Sequence, residues 1–88
     1  MKIQLDENRS SFFQTTDIGL ITTLLIQGVY VDHTDSSNPK RVVFFFEQSD
    51  KLADNLKKYW EGSLLVEPKT YWNTLREVKG RIRNDWSL

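Results

Sequence analysis

Residues that usually carry chemistry are scarce in this sequence. His33 is its single histidine, and there is no cysteine. Catalysis by side chains needs a nucleophile with a base, a metal centre, or paired carboxylates in a pocket. One histidine beside a predicted turn provides none of these. We therefore predict that the protein is not an enzyme and that it has no cofactor.

The sequence pattern that most resembles a metal site is a partial calcium-binding loop. Asp32, Asp35 and Asn38 follow one another at short spacing around His33. A calcium-binding loop of this kind needs glycine at its sixth position and glutamate at its twelfth, and neither is in place. We predict no metal site and interpret His33 as a solvent-exposed or hydrogen-bonded residue of a hairpin.

Basic residues in the last part of the chain are the first candidates for binding. Arg76, Lys79 and Arg83 recur at helical spacing, and Arg81 lies among them. A cationic helix face can follow the phosphates of a nucleic acid without reading its sequence. However, the 12 Lys and Arg balance 12 Asp and Glu, so no global field favours nucleic acid. The alternative is a solvated face whose cations complement the helix dipole.

An aromatic strand is the second candidate. Residues 42–46 read Val-Val-Phe-Phe-Phe, and alternate side chains of a strand point to opposite faces of the sheet. Both faces are therefore apolar, so either both are covered or one presents aromatic surface. Tyr30, Phe44, Phe45 and Phe46 are the predicted partner-binding residues. Such a face could bind a protein or a second copy of the chain, could stack RNA bases, or could be core.

A small set of elements must position these residues. The order predicted from turn formers and apolar periodicity is strand, helix, strand, strand, helix, helix. This order predicts an α+β fold with two layers, in which a three-stranded antiparallel sheet packs against three helices. A chain of 88 residues supports one core, so residues 1–88 form a single domain, with residues 1–9 as a flexible or extended tail. The predicted strands are residues 12–15, 29–33 and 42–47, and the predicted helices are residues 18–27, residues 50–61 and the segment from Pro68 onward.

Signals for export or membrane insertion are missing from the sequence. The first eight residues lack the apolar run of a signal peptide. The longest apolar stretch, residues 18–26, is interrupted by Gly19, Thr22 and Thr23, and it is shorter than the roughly 20 residues of a spanning helix. We predict a cytoplasmic protein with no membrane partner.

Several segments resemble a known family. Residues 13–17 read Phe-Gln-Thr-Thr-Asp before an apolar helix, residues 38–47 read Asn-Pro-Lys-Arg-Val-Val-Phe-Phe-Phe-Glu, and residues 59–62 read Tyr-Trp-Glu-Gly. Together with Val-Glu-Pro at residues 66–68, they look like a family of small bacterial, archaeal and phage proteins that is catalogued as a domain of unknown function. The resemblance implies an association with mobile elements and no catalytic residue.

The leading hypothesis is a non-catalytic binding or accessory module that engages a protein partner or itself through an aromatic sheet face. One alternative is an accessory protein that binds nucleic acid through the basic C-terminal helix. Another is a phage-type inhibitor of a host enzyme, which fits the size of the chain and the family resemblance.

Overall fold

The computed structural model describes residues 11–87, with side chains described as far as Arg83. The predicted tail, residues 1–9, lies outside this range. Within the range, three strands and three helices follow the predicted order. The strands are β1 (Phe12–Thr15), β2 (His33–Asp35) and β3 (Val43–Glu47), and the helices are α1 (Ile18–Ile26), α2 (Asp50–Glu61) and α3 (Pro68–Ser87).

The sheet is antiparallel with the strand order β1-β3-β2, so β3 lies at its centre. In β1 and β3, Phe13 pairs with Phe46, and in β2 and β3, Thr34 pairs with Phe44. The predicted α+β class, with a three-stranded antiparallel sheet and three helices, is confirmed. No helix in residues 11–87 is long and apolar enough to cross a membrane.

Strand β2 forms further along the chain than residues 29–33, where it was predicted. The backbone N–H of Val29 donates to the carbonyl of Leu24 at 2.9 Å and therefore closes the end of α1. Sheet bonding begins only at Asp32, whose N–H donates to the carbonyl of Phe45 at 2.7 Å. The start of this alternating apolar segment therefore completes the end of α1, and only its later residues bond to the sheet.

Polar side chains start the first two helices. Oδ1 of Asp17 accepts from the N–H groups of Gly19 at 3.0 Å and Leu20 at 3.2 Å. Oγ of Ser49 accepts from the N–H of Leu52 at 3.0 Å. Each cap satisfies backbone donors that have no partner inside the helix, so the sequence sets where these helices begin.

Glu67 performs the same task for α3. Its carboxylate accepts from the N–H of Thr70 at 2.7 Å, from the N–H of Lys69 at 3.1 Å, and from the Thr70 hydroxyl at 2.8 Å. These bonds, led by the one from the Thr70 backbone, hold the pKa of Glu67 below its ordinary value. Since Pro68 offers no N–H, it fits the first turn.

The core lies between the helices and one face of the sheet. All three helices contribute to it, and β3 supplies its two largest fully buried side chains, Phe44 and Phe46. Thr22 is also fully buried, and its hydroxyl donates to the carbonyl of Ile18 at 2.7 Å, which satisfies it inside the helix. The buried apolar residues are Leu20, Ile21, Leu24, Val29, Val42, Phe44, Phe46, Leu52 and Val78.

Candidate binding surfaces

The face of the sheet opposite the helices, which we call the open face, is built by all three strands. Directly opposed residues of an antiparallel pair share a face, so the register assigns the open face without further assumption. Its central residues Val43 and Phe45 are half-buried, and neither packs against the helix-covered core. The open face comprises Phe12, Gln14, His33, Asp35, Val43, Phe45 and Glu47.

Three rings on this face form what we call the aromatic cluster: Phe12, His33 and Phe45. The His33 and Phe45 rings stack with centroids 4.3 Å apart and planes 11° apart. Phe12 stands perpendicular to both, at 5.2 Å from His33 and 6.3 Å from Phe45. Nδ1 of His33 lies 2.6 Å from Oδ2 of Asp32. Much of the surface of these three rings is therefore in contact with another ring of the cluster.

Carboxylates border the aromatic cluster. Asp35 lies opposite Val43, and Glu47 lies opposite Phe12. Asp35 accepts from the Ser37 hydroxyl and, at 2.9 Å, from the Ser37 N–H. These bonds, with the hydroxyl as the larger cause, lower the pKa of Asp35. The β2 edge of the open face is therefore reliably anionic at neutral pH.

Only one of the four predicted partner-binding residues lies on the open face, and that residue is Phe45. Phe44 and Phe46 are 0% exposed and belong to the core, so their prediction as docking residues is corrected. The reason is the alternation of β3, which turns both of them toward the helices. Tyr30 is 77% exposed, but it precedes β2 and lines a shallow depression with Glu47 and Lys51 at the border of the open face.

A second surface, the cationic groove, lies where the start of β3 meets α1 and α3. Its volume is about 440 Å³. Three of its lining side chains are apolar, four are cationic, and none of them is a carboxylate. The lining residues are Thr16, Ile18, Lys40, Arg41, Val42, Lys79, Ile82 and Arg83.

The four basic residues predicted on α3 do not share one surface. Arg76, Lys79 and Arg83 line a common depression beside the cationic groove. The Cζ of Arg81, by contrast, lies 5.9 Å from the ring centroid of buried Phe44. A helix turns about 100° per residue, which places Arg81 roughly opposite the other three.

Lys40 and Arg41 complete the cationic groove, and the sequence reasoning did not assign them to it. They belong to the segment before β3, whereas Lys79 and Arg83 belong to α3. Consecutive cations after a proline were visible in the sequence, but no local pattern shows which helix they face.

Groups that could do acid–base chemistry are few in the described part of the chain. No three His, Cys, Asp or Glu side chains within it come together to hold a metal ion. The pKa of Tyr59 is raised by burial and, to a lesser extent, by Asp17 and Tyr71. A raised pKa keeps the hydroxyl protonated at neutral pH, so Tyr59 is no activated base or nucleophile.

The fold and its surfaces define a small α+β domain with an aromatic open face and a separate cationic groove. A family model described as Domain of unknown function (DUF5659) matches residues 10–84. The match spans most of the 88 residues, so the chain belongs to this family, and the predicted resemblance to a domain of unknown function is confirmed. No curated protein and no solved structure matches the chain.

Proposed function

We propose that the protein is a non-catalytic binding module that docks a protein partner on the open face of its sheet. The observation that carries this proposal is that Phe45 and Val43 lie at the centre of a face turned away from the helices. An apolar centre bordered by polar and charged residues is the usual anatomy of a protein interface. Inhibition of a host enzyme, suggested by the size of the chain and the family resemblance, would be one form of such docking.

The charges on the open face favour a cationic partner. Asp35 and Glu47 border the aromatic cluster, and Asp32 lies against His33. A segment with an aliphatic or aromatic residue flanked by Lys or Arg complements this surface. A second copy docked face to face would instead bring like charges together. We therefore favour a different protein over a homodimer.

The geometry of the aromatic cluster favours protein over nucleic acid on this face. Base stacking needs free ring faces, whereas Phe45 already stacks with His33 at 4.3 Å. Nearby carboxylates would also repel phosphates. Ring edges and aliphatic Val43 suit an apolar side chain better than a base.

A random peptide-display library, selected on the immobilised protein, tests this function. We expect the retained peptides to carry Lys or Arg beside apolar residues and to be lost with Phe45→Asp. Leu65→Asp is the matched control, because Leu65 is 88% exposed in the segment between α2 and α3. The same peptides should bind this control as they bind the wild type. Retention by Phe45→Asp, or enrichment of acidic peptides, would contradict the proposal.

Light scattering after size exclusion tests whether the open face binds a different protein or a second copy of the chain. We expect wild-type protein to be monomeric without a partner. A dimer that Phe45→Asp dissociates would show that a second copy occupies the open face and would overturn the charge argument. Circular dichroism of each variant establishes that loss of binding is not loss of fold.

A further inference from the structure

We propose that the cationic groove, together with the exposed side of α3 next to it, binds single-stranded nucleic acid. This site does not depend on protein docking on the open face, although Arg41 also lines a depression with Gln14 and Val43 where the two surfaces adjoin. The proposal rests on the composition of the groove, on an exposed tryptophan in line with its cations, and on the depth at which its apolar residues lie.

The composition of the groove suits a polyanion with apolar parts. Lys40 and Arg41 come from the segment before β3, while Lys79 and Arg83 come from α3. None of the described residues that line the groove is a carboxylate, although Glu77 lines the depression beside it and the chain as a whole is neutral. This local concentration of positive charge is the electrostatic footprint that phosphates recognise.

A tryptophan extends this positive surface along α3. Trp72, Arg76, Lys79 and Arg83 are spaced i, i+4, i+7 and i+11, which places them along one side of the helix. Trp72 is 57% exposed. From Trp72 to Arg83 the helix rises about 16 Å, about the length of five stacked nucleotides at 3.4 Å each. Cations that follow a backbone beside an exposed aromatic ring are typical of single-strand binding.

The apolar residues of the groove favour single-stranded nucleic acid over two other polyanions, a nucleic-acid duplex and an anionic membrane. Half-buried Ile18 and Ile82 line the groove among its cations, together with buried Val42, and an unpaired base can reach the first two. The bases of a duplex are stacked inside it and would leave these residues unused. An anionic membrane needs several apolar side chains that protrude from the surface, whereas within the groove Ile18 and Ile82 are half-buried and Val42 is buried.

Fluorescence anisotropy with labelled oligothymidine and oligouridine of about 15 nucleotides, within the site sizes of single-strand binders, tests the proposal. Lys40, Arg41, Arg76 and Lys79 give four phosphate contacts, so log K should fall with log salt at a slope of about −2.8. Affinity should drop roughly 50-fold between about 50 and 200 mM salt. A duplex of the same length should bind more weakly.

Matched variants locate the site. Lys79→Gln should weaken binding and reduce the salt slope by about 0.7, the share of one phosphate contact. Lys57→Gln removes the same charge from the exposed side of α2, outside the groove, and should change nothing. Trp72→Ala should lower affinity without changing the slope, whereas Trp60→Ala, from a tryptophan 66% exposed on α2, should bind as the wild type does.

Several results would overturn the proposal. These are no binding at low salt, equal or tighter binding of the duplex, and equal losses in Lys79→Gln and Lys57→Gln. Equal competition by polyglutamate would show that the groove recognises charge alone. Co-sedimentation with phosphatidylserine vesicles, without oligonucleotide binding, would assign the surface to a membrane instead. Because Phe45→Asp lies on the other surface, it should keep oligonucleotide affinity whether or not the peptide selection succeeds.

Discussion

Truncating neighbouring phenylalanines of β3 should lower the free energy of unfolding by different amounts, because the two side chains lie on opposite faces of the sheet. Phe44 is 0% exposed in the core, and truncating a buried phenylalanine to alanine costs about 3–5 kcal/mol. Phe45 is half-buried on the open face and contacts two rings. Its truncation removes aromatic pairing worth about 0.5–1.5 kcal/mol and partial burial worth about 1 kcal/mol. Phe44→Ala should therefore cost about twice as much free energy of unfolding as Phe45→Ala, or more.

Urea denaturation followed by tryptophan fluorescence measures this difference. Small domains are stabilised by about 5–15 kcal/mol, with a urea dependence of about 1 kcal/mol per molar. We expect the midpoint of Phe45→Ala to fall by about 2 M and that of Phe44→Ala by about 3–5 M. Equal losses for the two variants would show that Phe45 is core, and the open face would then not exist as a docking surface.

Four further predictions concern the helices. Gly62 has φ +75° and open space where a Cβ would be, so Gly62→Ala should destabilise by about 1–2 kcal/mol from backbone strain alone. Gly80→Ala also meets open space but sits inside α3, so it should stabilise by about 0.5–1 kcal/mol, both read from thermal unfolding. Asp17→Ala should lose about 1 kcal/mol by removing the cap of α1, and an unchanged urea midpoint would contradict that role. The hydrogen bonds from Thr70 and Lys69 hold the pKa of Glu67 below its ordinary value, so its stabilisation is present above the ordinary pKa of a glutamate and is lost as the pH falls through the lowered pKa. Glu67→Gln should flatten this part of the acid-unfolding curve.

Local chemistry explains what the sequence could predict. A side-chain oxygen before an apolar run, at Asp17 or Ser49, caps a helix regardless of tertiary context. A glycine at a left-handed position, such as Gly62, ends one. The order of the elements follows from such signals, and so does the division of the phenylalanines between two faces.

Tertiary placement explains what the sequence could not predict. The alternation of β3 defines two faces but does not say which one the helices cover, so Phe44 and Phe46 could not be told from Phe45. The cationic groove joins Lys40 to Lys79, which are far apart in the chain. Such a meeting depends on how α3 packs against α1, and no short-range pattern encodes it.

The central position of β3 has a consequence for how the molecule opens. Both outer strands bond to this five-residue strand, so either one can fray alone, while β3 is released only when both neighbours have left it. Each amide of β3 donates to one neighbour only, so its proton should exchange with solvent at the rate at which that outer strand frays or the whole domain unfolds. The same strand underlies Phe45 and, just before its first residue, the floor of the groove at Val42. A ligand on either surface should thus slow exchange in one shared strand.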